Sequence, residues 1–131
     1  MRTRILSLFL VLSSATTAAA QGGWKEIGKT SAGNSVYVDP RSLRKSNGIV
    51  SARIRVKFAE PVSTPRGSWK TSQHLALFNC AKSTVAAKQS TYFSDEAGTQ
   101  VVERTTIAQP GFGPALGGSM AKVALDYVCK T

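Results

Sequence analysis

The sequence has 131 residues, a formal net charge of +10, one His and two Cys. This length suits one domain and excludes a multidomain enzyme. With 42% hydrophobic and 18% charged residues, the composition is that of a globular protein and not of a disordered or collagen-like chain. One His and two Cys exclude a metal cluster built from several such side chains.

The first 20 residues have the features of a secretory signal peptide. Arg2 and Arg4 form a basic start, residues 5–12 form a short apolar core, and Ala18-Ala19-Ala20 resembles a cleavage site. A membrane span needs about 20 apolar residues, and we expect none along the chain. We therefore predict a signal peptide over residues 1–20, a single domain over residues 21–131, and export to the periplasm, the cell surface or the medium.

The exported domain is basic. Without Arg2 and Arg4 it carries 15 basic residues against 7 acidic ones, which leaves a net charge of +8. Such a charge favours anionic partners such as lipopolysaccharide, polysaccharide, nucleic acid or acidic protein surfaces. The alternative is that the charge serves only solubility, because charge alone does not define a function.

Alternating apolar and polar residues predict β-strands along most of this domain. The longest candidate, residues 69–80, is apolar on both faces near its end, where Leu75 and Leu77 alternate with Ala76 and Phe78. This pattern indicates a central strand that is covered on each side. The predicted strands are residues 24–27, 34–39, 53–58, 69–80, 84–93 and 99–106.

Turn-forming residues separate the predicted strands. Residues 40–43 begin with Pro and suit a brief helical turn. Residues 47–48 are Asn-Gly, a strong turn signal, and residues 95–98 end in a Gly that supplies a positive φ. Residues 60–67 contain two Pro and one Gly, so we predict a loop there, and a second Gly- and Pro-rich loop over residues 110–118.

The end of the chain predicts a helix. Ser119 is a favourable N-cap residue, and apolar residues follow at the spacing of one helical face. The sum is an α+β domain, an antiparallel sheet of about five to six strands with a C-terminal α-helix packed on one face. The predicted apolar stripe consists of Met120, Val123, Ala124, Tyr127 and Val128.

Cys80 and Cys129 remain in the exported domain. In an oxidising compartment such a pair predicts one disulfide, here between the central strand and the end of the helix. Such a disulfide would close a loop of about 50 residues, which stabilises the folded protein by roughly 4 kcal/mol in the chain-entropy model. A redox-active pair is the alternative, but it would typically have the C-x-x-C spacing.

Three motif matches do not support an enzyme. Residues 23–30 fit the phosphate-binding pattern G-x-x-x-x-G-K-T, but a cleaved signal precedes them and a turn follows where that motif needs a strand and a helix. Ser119 and Lys122 fit the acyl-transfer pattern S-x-x-K, and a helix cap already explains Ser119. His74 is the only imidazole, and nothing indicates that an acid and a nucleophile join it in a Ser-His-Asp triad. A polar strand residue is also a simpler interpretation than an axial haem ligand.

Residues 53–58 alternate strictly between basic and apolar side chains. If Ile54, Val56 and Phe58 face the core, the basic residues project from the opposite face at about 7 Å spacing. An ordinary solvated face is the alternative, since Lys and Arg stems can cover apolar surface. The candidate anion-binding or partner-binding residues are Arg53, Arg55, Lys57, Arg41, Arg44 and Lys45.

Several short motifs follow one another along the exported domain. They are Trp24, Val36-Tyr37-Val38-Asp39-Pro40, Ser42-Leu43, Asn47-Gly48, Asn79-Cys80, Gly118-Ser119 and Cys129. Their order resembles that of the surface-adhesin protein E-like family of Gram-negative bacteria. The resemblance implies an antiparallel sheet with a C-terminal helix and a disulfide. It also implies adhesion to host extracellular-matrix proteins, although the lipid anchor of the archetype is missing because no Cys lies near the cleavage site.

These observations predict a small exported binding protein that is not an enzyme and needs no cofactor or metal. The first hypothesis is an adhesin-like contact between the sheet and a protein partner. The alternative is binding of an anionic polymer or lipid, such as lipopolysaccharide or a glycan, through the basic strand face. Association into a homodimer is a further alternative. Salt separates the first two hypotheses, because binding to a polyanion weakens steeply with ionic strength.

Overall fold

A computed structural model describes residues 23–130, and the predicted signal peptide lies outside the described residues. These residues form an antiparallel sheet and a C-terminal helix, as predicted. A short 3-10 helix, Pro40–Ser42, occupies the predicted helical turn. The other elements are β1 (Lys25–Lys29), β2 (Ser35–Val38), β3 (Arg44–Ser46), β4 (Ile49–Thr64), β5 (Gly67–Asn79), β6 (Thr84–Phe93), β7 (Val101–Thr106), β8 (Gly113–Pro114) and α1 (Met120–Val128).

The sheet follows the order β1-β2-β4-β5-β6-β7, and the short strands β3 and β8 pair with β4 and β6. The path of six strands agrees with the predicted number, whereas the two short strands were not predicted. β5 lies between β4 and β6, so the prediction of a central strand is confirmed. β4 and β5 form a long hairpin that carries residues of both faces of the sheet.

The prediction of a loop over residues 60–67 is wrong. β4 continues to Thr64 and β5 begins at Gly67, so only Pro65 and Arg66 connect them. The pairing of the two strands is irregular between Lys57 and Val62, and Pro61 lies in this stretch. Because proline has no N–H to donate, a strand accepts it where the hydrogen-bond ladder is already interrupted.

The core lies between the helix and one face of the sheet, called here the inner face. Val36, Val38, Ile54 and Phe78 are fully buried on this face. Ile54 and Val56 face inward as the alternation of residues 53–58 predicts, while Phe58 is only half-buried. The opposite face, called here the outer face, carries Arg53, Arg55 and Lys57 of β4.

Helix α1 begins where the sequence predicts, because Ser119 Oγ accepts a hydrogen bond from the Lys122 N–H at 3.2 Å. The helix contacts four strands, so its buried surface is wider than the predicted stripe and includes Leu125. Gly28 of β1 permits this close packing, because a Cβ atom there would lie 2.9 Å from Val123 Cγ1. The buried helix residues are Ala124, Leu125 and Val128.

The predicted disulfide is confirmed. Cys80 directly follows β5, and Cys129 caps the C-terminus of α1. Their Cα atoms are 5.5 Å apart across a sequence separation of 49 residues. The bond therefore joins the end of the helix to the end of the central strand.

The turn between β6 and β7 confirms the predicted hairpin, with Gly98 at a φ of +72°. The Asp95 carboxylate accepts hydrogen bonds from the Thr99 side chain and from the backbone N–H groups of Thr99 and Gln100. These hydrogen bonds lower the pKa of Asp95 to about 2, and the bond from the Thr99 side chain has the largest effect. They hold residues 99 and 100 in the turn, so β7 begins two residues later than predicted.

No helix within residues 23–130 has the length and apolar character that crossing a membrane requires. The same part of the chain contains no group of three or more His, Cys, Asp or Glu residues placed to hold a metal ion. The two candidate sites lie on the two faces of the sheet.

Candidate functional site

The predicted basic row lies on the outer face of β4. Arg53, Arg55 and Lys57 alternate with the buried Ile54 and Val56, so the predicted assignment of faces is correct. Arg53 and Lys57 are exposed, whereas Arg55 is half-buried.

Trp24, which immediately precedes β1, lies close to two of these guanidinium groups. The Cζ atoms of Arg53 and Arg55 are 5.8 Å and 5.9 Å from the centroid of its ring. At this separation the cations are attracted to the π-electron face. Trp24 is only half-buried, so part of its ring stays accessible to a partner.

The turn between β6 and β7 engages the other end of the basic row. Arg55 donates a hydrogen bond to the Glu96 backbone oxygen, and Lys57 Nζ lies 3.6 Å from Glu96 Oε2. The hydroxyl of Thr71 donates to the Asp95 backbone oxygen at 2.9 Å. Arg55 and Lys57 thus hold the turn against the sheet, while Arg53 pairs with no carboxylate within residues 23–130.

Arg53 also lines a groove of about 200 Å³ on the outer face. Its Nη2 atom donates to Gln73 Oε1 at 3.3 Å, and across the groove Arg104 Nε donates to Thr91 Oγ1 at 3.2 Å. Guanidinium groups bind carboxylate, sulfate and phosphate oxygens, and amides and hydroxyls bind sugar hydroxyls. We call this site the polar groove, with the residues Arg53, Gln73, Gln89, Thr91 and Arg104.

The structure does not bring all six predicted basic residues together. Arg41 Nε is 3.5 Å from Asp39 Oδ1, and Arg44 donates to the backbone oxygens of Arg41 and Leu43 at 2.8 Å. Lys45 pairs in register with Val50, a core residue, so it lies on the inner side of the sheet edge. Lys45 is therefore separated from the outer face, and the other five residues share that side of the sheet or its edge.

The inner face carries a second site, an open cleft of about 410 Å³ beside the N-terminus of α1. Its walls include Phe58 from β4 and Met120 from the helix. Trp69 and Tyr92 stack on one another there, with ring centroids 3.9 Å apart. We call this site the aromatic cleft, defined by Phe58, Trp69, Tyr92 and Met120.

A row of hydrogen-bonded polar groups lies along the cleft. His74 Nε2 is 2.8 Å from Ser72 Oγ, and His74 Nδ1 is 2.8 Å from Ser90 Oγ. Burial lowers the pKa of His74 to about 4, so the imidazole is neutral at pH 7.

The three enzyme-like motif matches have structural explanations. Residues 25–29 of the phosphate-binding pattern form strand β1, which no helix follows. Ser119 caps α1, and Lys122 Nζ bonds Asp126 Oδ1 at 2.8 Å. His74 is a buried strand residue, as the simpler interpretation held.

The sequence matches the family model for surface-adhesin protein E over residues 24–130. The chain belongs to the surface-adhesin protein E family. A comparison with curated proteins finds no match.

Solved structures of protein E from Haemophilus influenzae share the fold of this family member. One aligns with a TM-score of 0.56 at 15% identity and covers 82% of this chain and 84% of its own. A second crystal form aligns with a TM-score of 0.58 at 15% identity and covers 82% and 87% of the two chains. Protein E from a non-typeable strain aligns with a TM-score of 0.55 at 15% identity and covers 82% and 76%.

The sequence patterns missed most residues of both surfaces in this surface-adhesin protein E family member. Gln73, Gln89, Thr91 and Arg104 lie on three different strands, and only the strand register places them beside Arg53. β7 gives no local signal for Arg104, because neither apolar character nor burial alternates along its sequence VVERTT.

Proposed function

We propose that this protein is a small, exported, non-enzymatic adhesin that contacts a protein partner through the outer face of its sheet. Membership of the surface-adhesin protein E family supports a surface-associated, adhesive role. The signal peptide predicted over residues 1–20 supports export.

The observation that carries this proposal is the contact of Trp24 with Arg53 and Arg55. Trp and Arg are enriched among the few interface residues that supply most of the binding free energy. The guanidinium groups of Arg41 and Arg44 lie near the same edge and extend the positive surface. An acidic patch on a protein partner complements this surface in charge.

The polar groove favours a second candidate function, the binding of an anionic glycan or lipid headgroup. Two arginines face the groove from opposite sides, with amide and hydroxyl groups between them. Such a set of donors matches a ring that carries both a carboxylate or phosphate and hydroxyl groups. Arg53 belongs to both surfaces, so charge reversal at Arg53 tests both functions.

The first test compares Arg53→Glu with Lys45→Glu. Both variants change the charge by the same amount at exposed residues, but Lys45 lies on the other side of the sheet edge. We expect Arg53→Glu to weaken binding to immobilised extracellular-matrix proteins at least about tenfold, and Lys45→Glu less than about twofold. Equal losses in both variants would instead indicate general charge attraction and reject an outer-face site.

Salt dependence separates the two candidate functions. Binding to heparin or lipopolysaccharide through the groove should fall at least about tenfold between about 50 and 200 mM salt and should be weakened by Arg104→Glu. Binding to a protein partner around Trp24 should weaken less with salt and should respond to Trp24→Ala. Sedimentation velocity of the wild-type and Arg53→Glu proteins shows whether the same face serves a homodimer.

A further inference from the structure

The aromatic cleft has the size and lining of a small-molecule site. Its volume of about 410 Å³ lies within the range of about 300–1,000 Å³ that is usual for such sites. The cleft lies between the turn after β1, the inner face of β4–β6 and the N-terminus of α1. It opens on the face opposite to the polar groove, and His74 is the one residue that lines both sites.

The walls of the cleft favour an aromatic ring. Phe58 and the stacked pair Trp69 and Tyr92 present three ring systems in one cleft. Aromatic rings attract one another in offset or edge-to-face arrangements, beyond the gain from burying apolar area. Met120 adds a flexible thioether, which adapts to the ring edge of a ligand.

The polar row contains one more hydrogen that can be donated than it has hydrogen bonds. Ser72, neutral His74 and Ser90 each carry one hydrogen that can be donated, but only two hydrogen bonds join them. One hydroxyl hydrogen is therefore left without a partner in the row. This hydrogen lies on Ser72 when His74 carries its proton on Nε2, and an acceptor atom in the cleft favours that arrangement because Ser72 lines the cleft.

The rim of the cleft favours a negative charge on that acceptor. Gly118, Ser119 and Met120 form one side of the rim and belong to the start of α1. The N-terminus of a helix carries a partial positive charge that stabilises anions. We propose that the aromatic cleft binds a small aromatic molecule that carries a carboxylate.

Three probe molecules test the aromatic ring and the carboxylate of this ligand separately. Phenylacetate has the ring and the carboxylate, cyclohexylacetate lacks the aromatic ring, and 2-phenylethylamine replaces the carboxylate with a cation. We expect calorimetric titration of the oxidised protein to give a dissociation constant of about 1 mM or lower for phenylacetate, and values at least about fivefold higher for the others.

The two tryptophans of the sequence report where the probe binds. In a proton–nitrogen correlation spectrum, phenylacetate should shift the indole N–H signal of Trp69 and leave that of Trp24 in place. A shift of the Trp24 signal alone would place the carboxylate on the outer face and overturn the proposal. No binding at about 10 mM phenylacetate, or equal binding of cyclohexylacetate, would also overturn it.

Matched substitutions test the cleft itself. Phe58→Leu removes a ring from the cleft but keeps an apolar side chain, and we expect it to weaken phenylacetate binding about fivefold or more. Phe112→Leu makes the same replacement at an exposed residue outside the cleft and should change nothing. Circular dichroism of both variants checks the fold, and Trp69→Leu provides a second ring removal. Equal effects of Phe58→Leu and Phe112→Leu would contradict the proposal.

Discussion

The imidazole of His74 is a neutral part of the inner face. Both ring nitrogens bond serine hydroxyls, and the ring meets Tyr92 edge-on at a centroid distance of 5.9 Å. Burial is the cause that lowers its pKa to about 4 from the usual 6.5. Protonation would place an uncompensated charge inside the protein, so the folded state favours the neutral imidazole.

This shift predicts a pH dependence of stability. Between pH 6.5 and 4 the unfolded chain binds a proton at His74 that the folded protein does not bind, so the free energy of unfolding falls as the pH is lowered through this window. The loss of unfolding free energy that His74 causes reaches about 3 kcal/mol, and it levels off below the pKa of His74 in the folded protein.

Denaturant unfolding of the wild type and His74→Gln at several pH values measures this effect. Gln keeps hydrogen-bonding groups but does not titrate, so the wild type should lose more stability than the variant between pH 7 and 4. Asp95 contributes in a lower window, since its pKa is depressed to about 2, and both proteins share that contribution. Parallel curves for the two proteins over pH 4–6.5 would show that His74 is not the cause.

The C-terminal helix is held to the sheet by packing and by a covalent bond. α1 has nine residues, and a helix of this length is marginal in water by itself. Its buried face packs on Val36, Val38 and Ile54, and the bond from Cys129 to Cys80 fixes its last turn. The disulfide also limits the freedom of the unfolded chain between these two residues.

Replacement of both cysteines should destabilise the fold without changing its topology. We expect Cys80→Ala with Cys129→Ala to lower the free energy of unfolding by roughly 2–4 kcal/mol, because a loop of about 50 residues is no longer closed in the unfolded state. Reduction of the wild type should produce a similar loss, and the variant should not respond to reductant. Equal stability of the oxidised wild type and the variant would refute this role.

The long hairpin of β4 and β5 shows why one sequence prediction failed. Pro61, Pro65 and Gly67 are typical of a loop when only local sequence is considered. In the structure Pro61 occupies an interruption of the ladder, and the pairing resumes from Val62 with Trp69. The decision between loop and strand therefore depends on pairing with β5, most of which lies beyond residues 60–67.

The route of the protein to its compartment is predicted from the first 20 residues alone. We expect intact-mass analysis and N-terminal sequencing of the exported protein to place its first residue at Gln21 or within a residue or two, because a signal peptidase cuts after small residues such as Ala18-Ala19-Ala20. Met1 retained on a protein in the cytoplasm would contradict export and, with it, both an adhesive role and an oxidised disulfide.

The complete protein presents different chemistry on the two sides of one sheet. The outer face carries arginines, amides and Trp24, whereas the inner face carries the core and the aromatic cleft. Strand alternation produces this division, since consecutive side chains of a strand point to opposite faces. Variants of residues that line only one of the two sites should therefore leave binding at the other site unchanged, whereas His74 lines both.

Local patterns were sufficient to identify the six strands of the main path, the N-cap at Ser119 and the faces of β4, because alternate burial and helix capping depend on residues a few positions apart. They did not predict the short strands β3 and β8 or the full length of β4. The choice of disulfide partners also needed no structure, since only two cysteines are present. Tertiary structure alone decided the binding surfaces. The polar groove and the aromatic cleft assemble from side chains of separate strands, and Lys45 is removed from the basic surface by its pairing with Val50. Strand register over long sequence separations sets these contacts, and no local pattern encodes it.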